Sequence, residues 1–181
     1  MDYNAALRKH RKKLIADPGS LPVRLRVDRS GIERILPHRE PFLLLDRLTG
    51  LNPEAGIIAG SRIVPEDDPV FRGHFPDHPV YPGVLELEMI GQVGLCLHYF
   101  LESDTTEITP DARPVAVRAT RTIGAYYMEP VRPGDEVILI ARKLDYDGFF
   151  ARILGQVVAG GKVSCVAASE GYLPEPDSDS L

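Results

Sequence analysis

The chain contains one long segment in which almost every position is apolar. It covers residues 84–101, and its polar exceptions are Glu86, Glu88, Gln92 and His98. A segment that is apolar all round is typical of a helix buried on every side rather than one lying on a surface. The pattern therefore predicts a central helix of about five turns.

Shorter apolar runs, separated by turn signals, flank this segment on both sides. The strand candidates are residues 42–51, 55–64, 115–123, 136–144, 149–158 and 162–173. Asp147-Gly148 and Gly160-Gly161 join the last three, and such dipeptides favour hairpins because they tolerate positive φ. A long helix followed by an antiparallel run of strands predicts an α+β fold.

Length and composition restrict the class of protein. A chain of 181 residues with 44% hydrophobic residues is expected to form one globular domain with a sizeable core. A net charge of −5 argues against a nucleic-acid partner. Cys96 and Cys165 have neither metal-ligand spacing nor a disulfide framework, so we expect two buried free thiols.

The first residues of the chain and its long apolar segment bear on location. The start Met1-Asp-Tyr-Asn lacks the apolar core of a secretory signal, and the long segment carries two glutamates near its beginning. We therefore expect no membrane span and a cytoplasmic location.

Candidate chemistry is concentrated just before and inside the predicted helix. His74 and His78 lie in a proline-rich loop, while Glu88 and Gln92, four residues apart, share one helix face. Burial raises the pKa of a carboxyl, so a neutral Glu88 is expected to donate a proton and a neutral imidazole to accept one. The turn at Pro82-Gly83 leaves backbone N–H groups free at the helix start, where they favour developing negative charge.

Three motifs occur in a fixed order. They are Leu36-Pro-His-Arg-x-Pro-Phe-Leu-Leu-Leu-Asp-Arg47, Gly73-His-Phe-Pro76 and Pro82-Gly-Val-Leu-x-x-Glu88-x-x-x-Gln92. With Pro130-Val-x-Pro-Gly-Asp135 they resemble the 3-hydroxyacyl-[acyl-carrier-protein] dehydratases of type II fatty-acid synthesis. The resemblance covers residues 31–173 and implies a hot-dog fold, in which a curved antiparallel sheet wraps a long helix.

The resemblance also implies a mechanism. His74 would remove the C2 proton of a (3R)-3-hydroxyacyl thioester, Glu88 of a second subunit would protonate the departing hydroxyl, and Gln92 would orient Glu88. The N–H groups of Gly83 and Val84 would bind the thioester oxygen. The acyl chain would lie in a tunnel lined by Leu85, Met89 and Val93. No metal or dissociable cofactor is implied, since the substrate is carried on the phosphopantetheine of an acyl carrier protein.

The oligomer implied is a homodimer, with a trimer of dimers left open. His38, between Pro37 and Arg39, is assigned to packing and loop shape rather than to catalysis.

The chain departs from the family pattern at Tyr127-Met128-Glu129, where an aromatic residue and a basic pair are usual. Docking of the acidic carrier protein is therefore expected to shift to Arg72, Arg118 or Arg121, or to the N-terminus. The resemblance implies fatty-acid or related polyketide or aryl-polyene synthesis, and these changes suggest a specialised member that serves polyketide, aryl-polyene or another secondary acyl pathway rather than bulk fatty-acid synthesis.

The two ends of the chain lie outside the resemblance. Residues 1–30 form a basic extension, expected to be solvated, with a short amphipathic helix around Leu7, Leu14 and Ile15. Residues 174–181 are acidic and rich in Pro and Ser, which predicts a disordered tail.

Three other functions remain open. They are a hot-dog acyl thioesterase, a dehydratase that also isomerises the double bond, and a non-catalytic protein that binds acyl carriers. The isomerising branch typically carries Asp where Glu88 stands, and intact His74 and Glu88 argue against a binding module.

Overall fold

The computed structural model describes residues 2–114 and 116–173 and shows a long helix against one antiparallel sheet. The helices are α1 Tyr3–His10, α2 Arg29–Ile35 and α3 Gly83–Glu102, with short 3-10 turns at Pro18–Ser20 and Pro69–Arg72. The strands are β1 Val23–Val27, β2 Arg47–Asn52, β3 Ile57–Ile63, β4 Arg118–Tyr127, β5 Glu136–Tyr146, β6 Phe150–Ala159 and β7 Lys162–Tyr172. The predicted α+β class and hot-dog fold are confirmed.

The seven strands form a sheet in the order β1-β2-β3-β5-β6-β7-β4, and every neighbouring pair is antiparallel. Helix α3 packs on β3, β5, β6 and β7. Gly155 of β6 allows close approach, because a Cβ there would overlap the side chain of Ile90 in α3. The predicted central helix is thus confirmed, with one more residue at each end.

The predicted strand at residues 42–51 begins later than expected, at Arg47. Leu43 is fully buried like a strand residue, but its N–H donates to the carbonyl of Arg39 in a turn. The N–H of Leu44 donates to the side chain of Gln92, at 2.7 Å. These backbone groups are satisfied by a turn and by α3, so the apolar run here is a buried loop.

The expectation of a solvated N-terminal extension is wrong. Leu7 and Ile15 are buried against the face of the sheet that points away from α3, in a cluster with Ile57, Ile140, Leu154, Val158, Val163, Val166 and Ala168. The fully buried Gln156 fixes the segment, because its Nε2 donates to the carbonyl of His10, at 2.6 Å, and its Oε1 accepts from the N–H of Ile15, at 2.8 Å. We call residues 2–22 the strap.

Two of the smaller predictions can be compared directly with the structure. Cys96 and Cys165 are buried free thiols, as expected. Helix α3 is long and apolar enough to cross a membrane, with a mean hydropathy of 1.3, but a buried core helix meets the same criterion. The predicted tail at 174–181, and position 115 of the predicted strand 115–123, lie outside the described residues.

Strand β4 forms one edge of the sheet. It pairs with β7 along its length, and within the described residues no strand pairs with its other edge. An unpaired ten-residue edge exposes a row of backbone donors and acceptors that another strand can satisfy.

Candidate active site

Glu88 is held by two neighbouring side chains. Gln92 lies one turn further along α3, and its Nε2 donates to Oε1 of Glu88 at 2.8 Å. Nε2 of His38, in the loop before β2, lies 3.3 Å from the same oxygen. Gln92 is fully buried and its amide also contacts Phe42 and Leu44, so it anchors this loop and Glu88 together.

The predicted neutral state of Glu88 is not supported by these surroundings. Burial by itself raises the pKa of the Glu88 carboxyl, but the hydrogen bonds from His38 and Gln92 outweigh burial and hold that pKa below its ordinary value. The sequence indicates a carboxyl in an apolar helix, but it does not reveal that a distant loop brings a second donor to it.

His38 was assigned to packing from the sequence, and the structure places it at the site. Its Nε2 faces Glu88, while its Nδ1 is buried and has no hydrogen-bond partner among the described residues. No local pattern around Pro37-His38-Arg39 indicates this contact. It arises only when the loop before β2 packs on α3.

His74 has one ring nitrogen fixed by the backbone. Its Nδ1 lies 2.8 Å from the carbonyl oxygen of Val80, which can only accept. Nδ1 must therefore carry the proton in this contact, and Nε2 is left as the basic nitrogen of a neutral ring. The ring stacks on Phe75 at a centroid distance of 4.1 Å.

Helix α3 begins without a side-chain cap. The N–H groups of Leu85 and Glu86 bond to the carbonyl of Pro82, whereas those of Gly83 and Val84 make no hydrogen bond within the described part of the chain. Two adjacent donors are therefore available at the start of a twenty-residue helix.

The ring of Tyr127 lies over this helix start. A Cβ placed on Gly83 would come within 2.5 Å of the ring, so the absence of a side chain at residue 83 permits the contact.

A cavity of about 570 Å³ runs along one face of α3. Its wall includes Glu88 and His38, together with Val84, Leu87, Gly91 and Leu95 on the helix. His74 does not line the cavity. The helix residues predicted for the acyl tunnel lie elsewhere: Met89 and Val93 are fully buried in the core, and Leu85 is partly buried against it.

A second carboxyl on α3, that of Glu86, is buried on the sheet side. It is 3% exposed, and its Oε2 lies 2.7 Å from Oγ of Ser164 in β7. Burial raises the pKa of Glu86 to about 7. The physical state predicted for Glu88 is therefore found at Glu86.

The described residues contain no group of three or more His, Cys, Asp or Glu side chains that could hold a metal ion. At Glu88 the cavity wall carries a carboxyl that two neighbouring side chains hold, and Val84, whose N–H is free, lies in the same wall. These groups can move protons and bind an oxyanion.

Comparison with known proteins identifies the family. A family model described as the FabA-like domain matches residues 36–165. The 3-hydroxyacyl-[acyl-carrier-protein] dehydratase FabZ of Campylobacter lari is 41% identical over 121 residues, which cover 67% of this chain and 75% of the relative. FabZ of Xanthomonas oryzae pv. oryzae is 34% identical over 152 residues, which cover 81% and 95%.

Solved structures agree on the fold. The dehydratase heterocomplex ApeI:P from Xenorhabdus doucetiae has a TM-score of 0.57 at 19% identity, over 80% of this chain and 91% of that one. Zebra fish thioesterase superfamily member 2 has a TM-score of 0.51 at 11% identity, over 71% and 80%. The family match, and relatives at 34–41% identity over most of the chain, show that the protein belongs to the FabA-like family.

Proposed function

We propose that the protein dehydrates a (3R)-3-hydroxyacyl thioester, carried by an acyl carrier protein, to a trans-2-enoyl thioester and water. The observation that carries the proposal is the Glu88 carboxyl in the wall of an apolar cavity, held by Gln92 at 2.8 Å. The relatives named above act on this class of substrate, and fatty-acid or polyketide-like synthesis is the setting in which such a step is needed.

Three groups would carry the reaction. Nε2 of His74 takes the proton from C2, electrons move toward the thioester carbonyl, and the N–H groups of Gly83 and Val84 stabilise the oxygen. Glu88, a carboxylate in the resting site, first takes up a proton from water; the C3–O bond then breaks as Glu88 gives that proton to the departing oxygen, which leaves as water. The reaction is reversible, so the carboxylate of Glu88 acts as the base toward water in hydration.

The site requires a second copy of the chain. Glu88 lines the cavity and His74 does not, so we propose that His74 of one subunit meets Glu88 of the other. The free edge of β4 offers a surface for pairing with its copy. Large apolar side chains are exposed around the helix start, with Val84 at 69%, Phe75 at 54% and Tyr127 at 52%. A homodimer would cover them; a trimer of dimers is left open.

The acyl chain would lie in the cavity beside α3. The residues that line it on the helix are Leu87, Gly91 and Leu95, which lie on a different face from Met89 and Val93. The tunnel predicted at Leu85, Met89 and Val93 remains a proposal, and it would require the core to open toward the substrate.

The carrier protein would dock on exposed arginines, one of which lies at the cavity wall. Arg72, Arg118 and Arg121 are exposed, and Arg121 lies at the cavity wall. Basic side chains of the strap add to this charge, and Arg11 lies 4.8 Å over the ring of Tyr126 in β4. Such charges steer an acidic partner at low salt. We propose that no dissociable cofactor takes part and that the enzyme is cytoplasmic.

The test is hydration of a trans-2-enoyl pantetheine or carrier-protein thioester, followed by loss of ultraviolet absorbance and by product mass. Wild type should form the 3-hydroxyacyl thioester, and Glu88→Gln should lose about 10²–10⁴-fold in rate. A free acid as the product would instead identify a thioesterase. Unchanged thioester in the presence of carrier binding would indicate a binding protein and overturn the proposal.

A further inference from the structure

We propose that His38 is a positioning residue for the reaction, resting on the proposed function. It donates Nε2–H to Oε1 of Glu88, leaves Oε2 to meet the substrate oxygen, and stabilises the carboxylate that forms when Glu88 gives up its proton. His38 does not itself contact the reacting carbon atoms in this proposal.

The first support is the division of contacts between the two oxygens of Glu88. Gln92 and His38 both reach Oε1, at 2.8 and 3.3 Å. Within the described residues Oε2 receives no hydrogen bond, and Glu88 lines the cavity. One oxygen is therefore held by the protein, while the other is available to a ligand.

The second support is the environment of the His38 ring. Nδ1 is buried without a hydrogen-bond partner among the described residues. The ring of Phe42 is tilted relative to the imidazole, and the two ring centroids are 6.3 Å apart. A buried polar nitrogen without a partner is costly. A residue needed only for packing would be better served by an apolar side chain, whereas a donor to Glu88 requires the imidazole.

His74 and Glu88 each transfer one proton in the dehydration step. The C2–H bond breaks and its proton goes to His74, while the C3–O bond breaks and the proton on Oε2 of Glu88 goes to the departing oxygen. Glu88 is left as a carboxylate, and the N–H groups of His38 and Gln92 face its charge. His74 then releases its proton to water, and Glu88, which the site holds as a carboxylate, takes up a proton from water before the next dehydration.

Three substitutions separate donation from packing. His38→Leu fills space but cannot donate, His38→Gln places an amide donor near the position of Nε2, and His38→Ala leaves room beside the cavity for free imidazole. His78→Gln is the matched control, since His78 is exposed and lies outside the cavity wall.

We expect His38→Leu to lose about 10- to 100-fold in kcat for hydration, less than the roughly 10²–10⁴-fold of a group that transfers the proton itself. KM should stay within about twofold because substrate binding is unchanged. His38→Gln should recover most of kcat, and added imidazole should raise the rate of His38→Ala saturably. His38→Leu with wild-type kcat would overturn the proposal, as would a loss that neither the amide nor imidazole restores.

The wild-type reaction in the same assay tests the proposed function. An inactive wild type would therefore refute the dehydratase function, whereas an active wild type with an equally active His38→Leu would refute only the role of His38. The ¹⁵N chemical shifts of the His38 ring test the contact without any turnover. Glu88→Gln should displace the Nε2 resonance of His38 and leave that of His78 in place. An unmoved His38 resonance would refute the contact even if the enzyme is a dehydratase.

Discussion

The buried carboxyl of Glu86 makes the folding stability depend on pH. Its pKa of about 7 lies above the ordinary value of 4.5, because burial disfavours the charged form. Between these two values the folded chain holds a proton that the unfolded chain has released. The contribution of Glu86 to the unfolding free energy is therefore fully present below about pH 4.5 and is lost as pH rises through about 7.

The hydrogen bonds of Ser164 support a protonated Glu86 independently. Oγ of Ser164 lies 2.5 Å from the carbonyl oxygen of Glu129 and 2.7 Å from Oε2 of Glu86. A hydroxyl has one proton, and a carbonyl can only accept, so Ser164 donates to Glu129. Glu86 then must donate to Ser164, which only the neutral acid can do.

The magnitude follows from the two pKa values. Each pKa unit corresponds to about 1.4 kcal/mol, so the interval from 4.5 to about 7 is worth at most about 3 kcal/mol. Glu86→Gln keeps a donor to Ser164 and removes the titration. We expect the unfolding free energy of wild type to fall by up to about 3 kcal/mol relative to this variant between pH 5 and 8.

The assay is urea unfolding at several pH values and one protein concentration, for wild type, Glu86→Gln and Glu102→Gln. Glu102 is the matched control, because it lies on the same helix but is exposed. Its variant should run parallel to wild type. If the Glu86→Gln curve also runs parallel to wild type, Glu86 is ionised in the folded protein and burial does not raise its pKa.

Three further substitutions test the packing that positions the site. Gln156→Ala should lower the unfolding free energy by about 1–3 kcal/mol, because it removes the hydrogen bonds to the carbonyl of His10 and the N–H of Ile15. It should also raise amide hydrogen exchange across the strap. Gly155→Ala should cost about 1–3 kcal/mol in urea unfolding, because its Cβ overlaps Ile90 on α3. Gly83→Ala should lower hydration activity more than thermal stability, because the half-exposed ring of Tyr127 can move away from the new Cβ, but this move changes the surroundings of the N–H groups proposed to bind the thioester oxygen.

Gly91 provides a control for the substitution at Gly155. A Cβ on Gly91 meets nothing within 4 Å, so Gly91→Ala should leave the stability equal or higher, as alanine favours helix. An equal loss for Gly91→Ala and Gly155→Ala would contradict the close helix–sheet approach. If amide hydrogen exchange in the strap is unchanged in Gln156→Ala, the packing of Leu7 and Ile15 is enough to hold the strap in place.

The sequence predicts those parts of the fold that depend on local pattern. The all-apolar run gives α3 to within one residue at each end, and Gly148 and Gly160 mark hairpins because both adopt positive φ. The burial of the strap is missed because its basic side chains, concentrated in residues 8–13, indicate a solvated segment. Its burial depends on a few apolar residues that meet an apolar sheet face far away in sequence.

The site shows the same limit. The spacing of Glu88 and Gln92 predicts a shared helix face, and the hydrogen bond between them is present. The pKa of Glu88 cannot be predicted in this way, because the donor that lowers it comes from residue 38, fifty residues earlier in the chain. The carboxyls of Glu86 and Glu88, two positions apart, thus reach opposite states, one beside a serine and one beside His38.

The most direct test of the account is complementation between two inactive variants. His74→Ala and Glu88→Gln should each be nearly inactive as pure homodimers in hydration of a trans-2-enoyl thioester. After unfolding and refolding together, random pairing should restore about one quarter of wild-type activity, because half of the dimers are mixed and each has one intact site. Mixed dimers that form but restore no activity would show that His74 and Glu88 do not act across the subunits, and would contradict the proposed site.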